Sequence, residues 1–269
     1  MRSARTGMAS VVSVLAMVLM LLAPAQAAAL ERPADKIFYD EQEGGADAPG
    51  GLYVIGDSIS VDVPYLEVGE EQGLRVWVRY QAGWSAFAHR TSKWCSPEPF
   101  CQPQTSVSAA AQSDASTVFV QLGTNDIRCL RPDPLCAPYL PPLSPEQRDA
   151  ERSLIAAETL AVAKTLIDAG KCVVWAGPRE VAGDTWLADD AAAMNGWLRA
   201  LEKVFPGNFY YADYHALSFA DEALLTSLDN PWAHPDADRV HPRSVEGRQA
   251  IAEFAVSTAV SQCGAGLAR

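Results

Sequence analysis

Basic residues, histidines and long apolar runs are all in short supply in this sequence. Lys and Arg together number 21 against 33 Asp and Glu, giving a net charge of −12. Such a surface repels nucleic-acid phosphates and anionic headgroups at long range, so no nucleic-acid partner is expected. Only 4 histidines occur, and none of the 6 cysteines stands in a C-x-x-C or histidine-paired spacing. That argues against a zinc-held fold, and no metal or cofactor is called for. Past the N-terminal stretch, no segment stays apolar for the ~20 residues that cross a bilayer, so no integral membrane segment is expected there. There is no internal repeat and no long low-complexity tract. Hydrophobic residues at 49% and charged residues at 20% suit a globular chain rather than a disordered one.

The N-terminus has the layout of a signal peptide. Arg2 and Arg5 precede an apolar run from Val11 to Ala23, and Ala25-Gln26-Ala27 offers small residues for cleavage. An uncleaved anchor is the alternative. Cleavage after Ala27 removes two arginines and no acid, taking the net charge from −12 to −14. Residues 1–27 are thus expected to be a signal peptide, 28–50 a leader, and 51–269 one folded domain, secreted and needing no more than a monomer. The cysteines suit export. Six permit fifteen connectivities; pairing in chain order gives Cys95–Cys101, Cys129–Cys136 and Cys172–Cys263.

From Gly51 onward, strand-like and helix-like segments alternate. Leu52–Ile55, Arg75–Gln81, Thr117–Leu122, Lys171–Ala176 and Phe209–Tyr214 read as strands, most of them soon closed by a glycine. Ser144–Ala169, Leu187–Val204 and Ser244–Gln262 read as helices. The first opens on Ser144, Pro145 and Glu146, a serine cap followed by proline and an early acid. This alternation implies an α/β fold, a single-domain three-layer α/β/α sandwich with a mainly parallel five-stranded sheet. Its ligand site belongs at the carboxyl ends of the strands. Trp77 and Trp175 fall in strands and are expected in the core. Trp84, Trp94 and Trp232 fall at the mouth, where they could stack on a substrate or simply anchor loops.

The chemistry-bearing residues gather at those strand ends. Gly56-Asp57-Ser58 follows the first strand, Gly83 the second, and Gly123-Thr124-Asn125-Asp126 the third. Near the C-terminus, Asp238-Arg239-Val240-His241-Pro242 precedes the last helix. A carboxylate three residues before a histidine can reach its Nδ1, leaving Nε2 to face a serine. In these blocks and their order the sequence resembles the SGNH (GDSL-like) hydrolases. Ser58 stands in the GDS motif, Gly83 for the second block, Asn125 in the GxND-like block, and Asp238 and His241 in the DxxHP-like block. Ile59 replaces the leucine of the family's alternative name. The resemblance implies a flavodoxin-like sheet and a serine hydrolase. Ser58 would be the nucleophile, His241 the base and Asp238 the orienting acid, with the Ser58 and Gly83 N–H groups and the Asn125 amide forming the oxyanion hole.

Other residues compete for these roles. Asp236 is a rival orienting acid, His234 likewise precedes the favoured pair, and His215 lies just after the fifth strand. His89 is expected at the surface or rim, and Asp57 and Asp126 are expected to tie loops together. Three functions follow. The first is a secreted esterase acting on a small-molecule, lipid or acylated-glycan ester. The second is a cell-envelope O-acyltransferase using the same residues, and the third a secreted binding protein without catalysis.

Overall fold

A computed structural model describes residues 50–81, 83–92, 104–128, 143–180, 185–220, 241–242 and 244–266. These all belong to the compact unit Asp40–Arg269; the other unit, Met1–Tyr39, lies outside the described residues. The signal-peptide and leader expectations therefore fall outside them, as do Cys95, Cys101, Cys129, Cys136, Trp94, Trp232, His234, Asp236 and Asp238.

Five strands form one parallel sheet: β1 (Leu52–Gly56), β2 (Val76–Tyr80), β3 (Thr117–Gln121), β4 (Cys172–Ala176) and β5 (Phe209–Ala212). Their order is β2-β1-β3-β4-β5. Leu52 pairs with Val76 on one side and Thr117 on the other, so the chain steps outward from β1 in both directions. The β1/β3 junction is thus the topological switch point of a doubly wound sheet, where a crevice opens at the strand ends. β1, β3 and β4 are buried throughout, as expected for parallel strands covered on both faces.

Helices cover the two faces. Leu52, Val54, Phe119 and Val174 point to one side and pack with helices α1 (Tyr65–Glu71) and α8 (Val245–Cys263), through Val68, Ile251, Ala255 and Ala259. By the period-2 alternation of strands, Tyr53, Ile55, Val118, Val120 and Trp175 point to the other side, and all are buried. There α3 (Ser106–Gln112) packs on β1, α5 (Pro145–Asp168) on β4, and α6 (Thr185–Val204) on β5. Short helices α2 (Ala86–Thr91), α4 (Thr124–Arg128) and α7 (Tyr214–Ala220) follow β2, β3 and β5 directly. The fifth strand stops at Ala212, two residues short of expectation. The Asp213 carboxylate accepts from the Ala216 N–H at 2.9 Å, which turns the chain into α7 at Tyr214.

Two features anchor the long helices. Ser144 and Gln147 form a reciprocal capping box at the start of α5. The expected Cys172–Cys263 disulfide is present, with Cα atoms 5.8 Å apart, and it ties the start of β4 to the end of α8 across 91 residues of chain. Among the described residues, no helix is long and apolar enough to cross a membrane.

Candidate active site

Ser58 opens a single 3-10 turn, Ser58–Ser60, immediately beyond β1. Asp57 caps that turn, with Oδ1 accepting from the Ile59 N–H at 2.9 Å. Beneath it, Ser60 Oγ lies 3.2 Å from the Tyr65 hydroxyl, which donates to Gln121 Oε1 at 3.1 Å. The loop that carries Ser58 is therefore bound to α1 and to the end of β3, while Ser58 itself stays partly open to solvent.

His241 comes from the far end of the chain. It stands just before Pro242 and the Ser244 cap of α8, whose hydroxyl accepts from the Gly247 N–H at 2.8 Å. Its Nε2 lies 2.7 Å from Ser58 Oγ, across 183 residues of sequence. That is the distance at which an imidazole takes a hydroxyl proton. Asp238, expected at Nδ1, and its rival Asp236 lie outside the described residues.

Asn125 and Gly83 follow β3 and β2, the two strands that pair with β1. Gly123 holds φ +126°, and a Cβ there would meet Met194 Cε at 2.5 Å, so glycine is required where β3 turns into α4. The next turn of chain brings the Asn125 amide to the site. Its Nδ2 donates to Asp57 Oδ2 at 3.1 Å and to the Trp84 carbonyl at 3.2 Å. The amide expected to meet an oxyanion is thus already held by the nucleophile loop and by the residue after Gly83. To serve an oxyanion it shares its second hydrogen with the Trp84 carbonyl. Gly83 is exposed, at φ +78°, in a turn closed by the Trp84 N–H on the Gln81 carbonyl at 3.2 Å.

Two buried carboxyls knit these loops together, as expected of Asp57 and Asp126. Burial raises the Asp57 carboxyl to about 7, with Asp126 adding like-charge repulsion against the lowering effect of the Ile59 N–H. Burial likewise raises Asp126 to about 6, although it takes the Ala86 N–H at 3.0 and 3.1 Å on its two oxygens. The remaining histidines split. His215, in α7, accepts at Nδ1 from the Glu180 N–H at 3.1 Å, which sets it against the loop after β4. His89 is not at the rim: it is completely buried, with Nδ1 3.1 Å from Ser106 Oγ. The correction has a local cause, because Ser85 caps α2 and sets the face carrying Ala86 and His89 inward. Trp175 is in the core as expected, its indole donating to the Leu122 carbonyl at 3.1 Å. Trp77 is only partly buried, with the Arg75 guanidinium over its ring.

Fold and site together define a class: a doubly wound α/β protein with a serine–histidine pair and an asparagine amide at the switch point. Solved structures share that fold. An acetylxylan esterase from Geobacillus stearothermophilus, crystallised as a catalytic mutant, aligns at 14% identity and TM-score 0.52, over 83% of this chain and 100% of its own. The C-terminal catalytic domain of peptidoglycan O-acetyltransferase A from Streptococcus pneumoniae aligns at 13% and 0.50, over 81% and 96%. A candidate GDSL-like lipase from Parabacteroides merdae aligns at 15% and 0.50, over 82% and 98%. At such identities the likeness establishes the fold, which is that of the SGNH hydrolases. No family model and no curated protein matches the chain.

Proposed function

We propose that this chain is a secreted serine esterase that cleaves carboxylic esters through an acyl-Ser58 intermediate. The observation that carries the reading is the 2.7 Å approach of His241 Nε2 to Ser58 Oγ at the switch point of the sheet. A serine hydroxyl is a poor nucleophile until a base takes its proton. His241 would accept that proton as Oγ attacks the ester carbonyl carbon, and would return it to the departing alkoxide. The Ser58 and Gly83 N–H groups and the Asn125 amide would hold the negative oxygen of the tetrahedral intermediate. Water, deprotonated by His241, would then attack the acyl carbon and release Ser58. Asp238 would orient His241 and stabilise its charged form. Secretion rests on the N-terminal pattern, with residues 51–269 as the catalytic domain.

Purified mature protein should hydrolyse p-nitrophenyl acetate and react with a fluorophosphonate probe at Ser58. Ser58→Ala should abolish both. Turnover by that variant at the parental rate would remove Ser58 from the mechanism, and a parent that neither turns over ester nor takes the probe would favour a binding protein.

The likeness to a peptidoglycan O-acetyltransferase domain supports a second reading, in which the acyl group passes to a sugar hydroxyl instead of water. Product analysis with a glycan acceptor present separates the two. Transfer exceeding hydrolysis would put the second reading first.

A further inference from the structure

The proposed reaction needs the Gly83 N–H held beside Ser58, yet the turn that carries Gly83 is exposed. Beneath that turn sits a histidine that the reaction does not use. His89 is completely buried, and its ring meets the Trp84 indole edge-on, with centroids 5.2 Å apart and planes at 69°. Nδ1 is 3.1 Å from Ser106 Oγ on α3. The ring also feels the Gly56 carbonyl, the last of β1, although Nε2 makes no aligned hydrogen bond. A carbonyl facing the ring favours the Nε2–H tautomer, which leaves Nδ1 to accept the Ser106 hydroxyl. One imidazole thus touches the residue after Gly83 and α3, and lies within electrostatic reach of the residue before Asp57.

An apolar side chain in this position would carry no unpartnered Nε2–H, a buried defect that ordinarily costs stability. The same carbonyl of Gly56 accepts from the Gln81 N–H at 3.0 Å, so the turn already hangs on β1 at one end. His89 supports its other end through Trp84, whose carbonyl in turn holds Asn125 at 3.2 Å. Burial, aided by the nearby Arg79, pushes the imidazole down to about 4, so the ring stays neutral where an esterase works.

We propose that His89 is a positioning residue, a buried brace that holds the Gly83 turn and the Asn125 amide against the nucleophile loop before substrate arrives. Its consequence for rate rests on the serine-esterase reading; its geometry does not.

The test compares His89→Leu with His89→Gln, whose amide can still present an N–H toward Gly56. With p-nitrophenyl acetate, His89→Leu should lower kcat on the order of tenfold or more at nearly unchanged KM, and His89→Gln should recover most of the loss. Thermal unfolding followed by circular dichroism checks that each variant is folded. If leucine does not fold, His89→Asn, too short to span the same gap, takes its place. Parental kcat in the leucine variant, or equal losses in both variants, would overturn the brace. An activity-independent readout separates this from failure of the esterase reading. Hydrogen exchange at the Trp84 backbone N–H, which closes the Gly83 turn on the Gln81 carbonyl, should accelerate in His89→Leu and slow toward the parental rate in His89→Gln. An exchange rate indifferent to residue 89 overturns the proposal whatever the enzyme does.

Discussion

The Asp57 carboxylate is the residue on which the candidate oxyanion hole turns. Its two oxygens accept from different donors, the Ile59 N–H and the Asn125 amide. Asp57→Asn replaces one acceptor by an NH2 group, so that an amide must flip away from Ile59 or from Asn125. Asn125→Ala removes the amide outright and strands Asp57 Oδ2. Each variant should lower kcat on the order of 10²–10³-fold, the usual cost of losing an oxyanion donor. Because both act on the same amide, the double variant should lose little more than the worse single one. Losses that multiply in that cycle, measured by steady-state ester hydrolysis, would mean the two residues act separately.

At the scale of elements, a helix cap does different work according to what precedes it. Ser144 and Ser244 both cap long helices by accepting from the N–H three residues on. Replacing either by alanine should cost about 1 kcal/mol of stability. Only Ser244 lies three residues from His241, so only Ser244→Ala should also lower kcat, while Ser144→Ala should leave it at the parental value. Equal effects of the two on kcat, at matched loss in urea unfolding, would separate the start of α8 from the placing of His241.

The legibility of these elements in the sequence follows the same physics. Apolar runs closed by glycine marked β1, β3 and β4, and the Ser144-Pro145-Glu146 start marked α5 to within a residue. The short helices α1, α2, α3, α4 and α7 have five to seven residues each, too few turns for a period to emerge. The burial of His89 was hidden for that reason, since it follows from which face of the six-residue α2 turns inward. Ser58, Asn125 and His241 were legible because each adjoins a strand end or a helix start. The Asp57–Asn125 hydrogen bond spans 68 residues of sequence, and no local pattern announces it.

For the whole molecule, the disulfide and the buried titrating groups set stability in separable ways. Opening the 91-residue loop by replacing Cys172 and Cys263 with serine should cost about 4 kcal/mol in the chain-entropy account, without touching the site at the other end of the sheet. The pH dependence is subtler, because the buried groups pull in opposite directions. Folded Asp57 titrates at about 7 and Asp126 at about 6, against 3.8 for an ordinary aspartate. Between about pH 4 and 7 the folded chain therefore keeps protons that the unfolded chain releases, and these carboxyls take away stability as pH rises. His89 titrates at about 4 folded against 6.5 unfolded, so the unfolded chain gains a proton first as pH falls. Its contribution to stability is therefore lost on the acid side, from 6.5 down to about 4. Relative to the parent, Asp57→Asn should gain stability as pH rises from 4 toward 7, and His89→Gln should gain it as pH falls from 6.5 toward 4. Each change should reach roughly 3 kcal/mol across its window, at about 1.4 kcal/mol for each pH unit over which the two states differ by a full proton. Urea midpoints at pH 4, 5, 6 and 7 measure both. Two differences that run parallel with pH, instead of crossing, would show that these groups are not the buried, oppositely shifted pair that the geometry around the nucleophile loop requires.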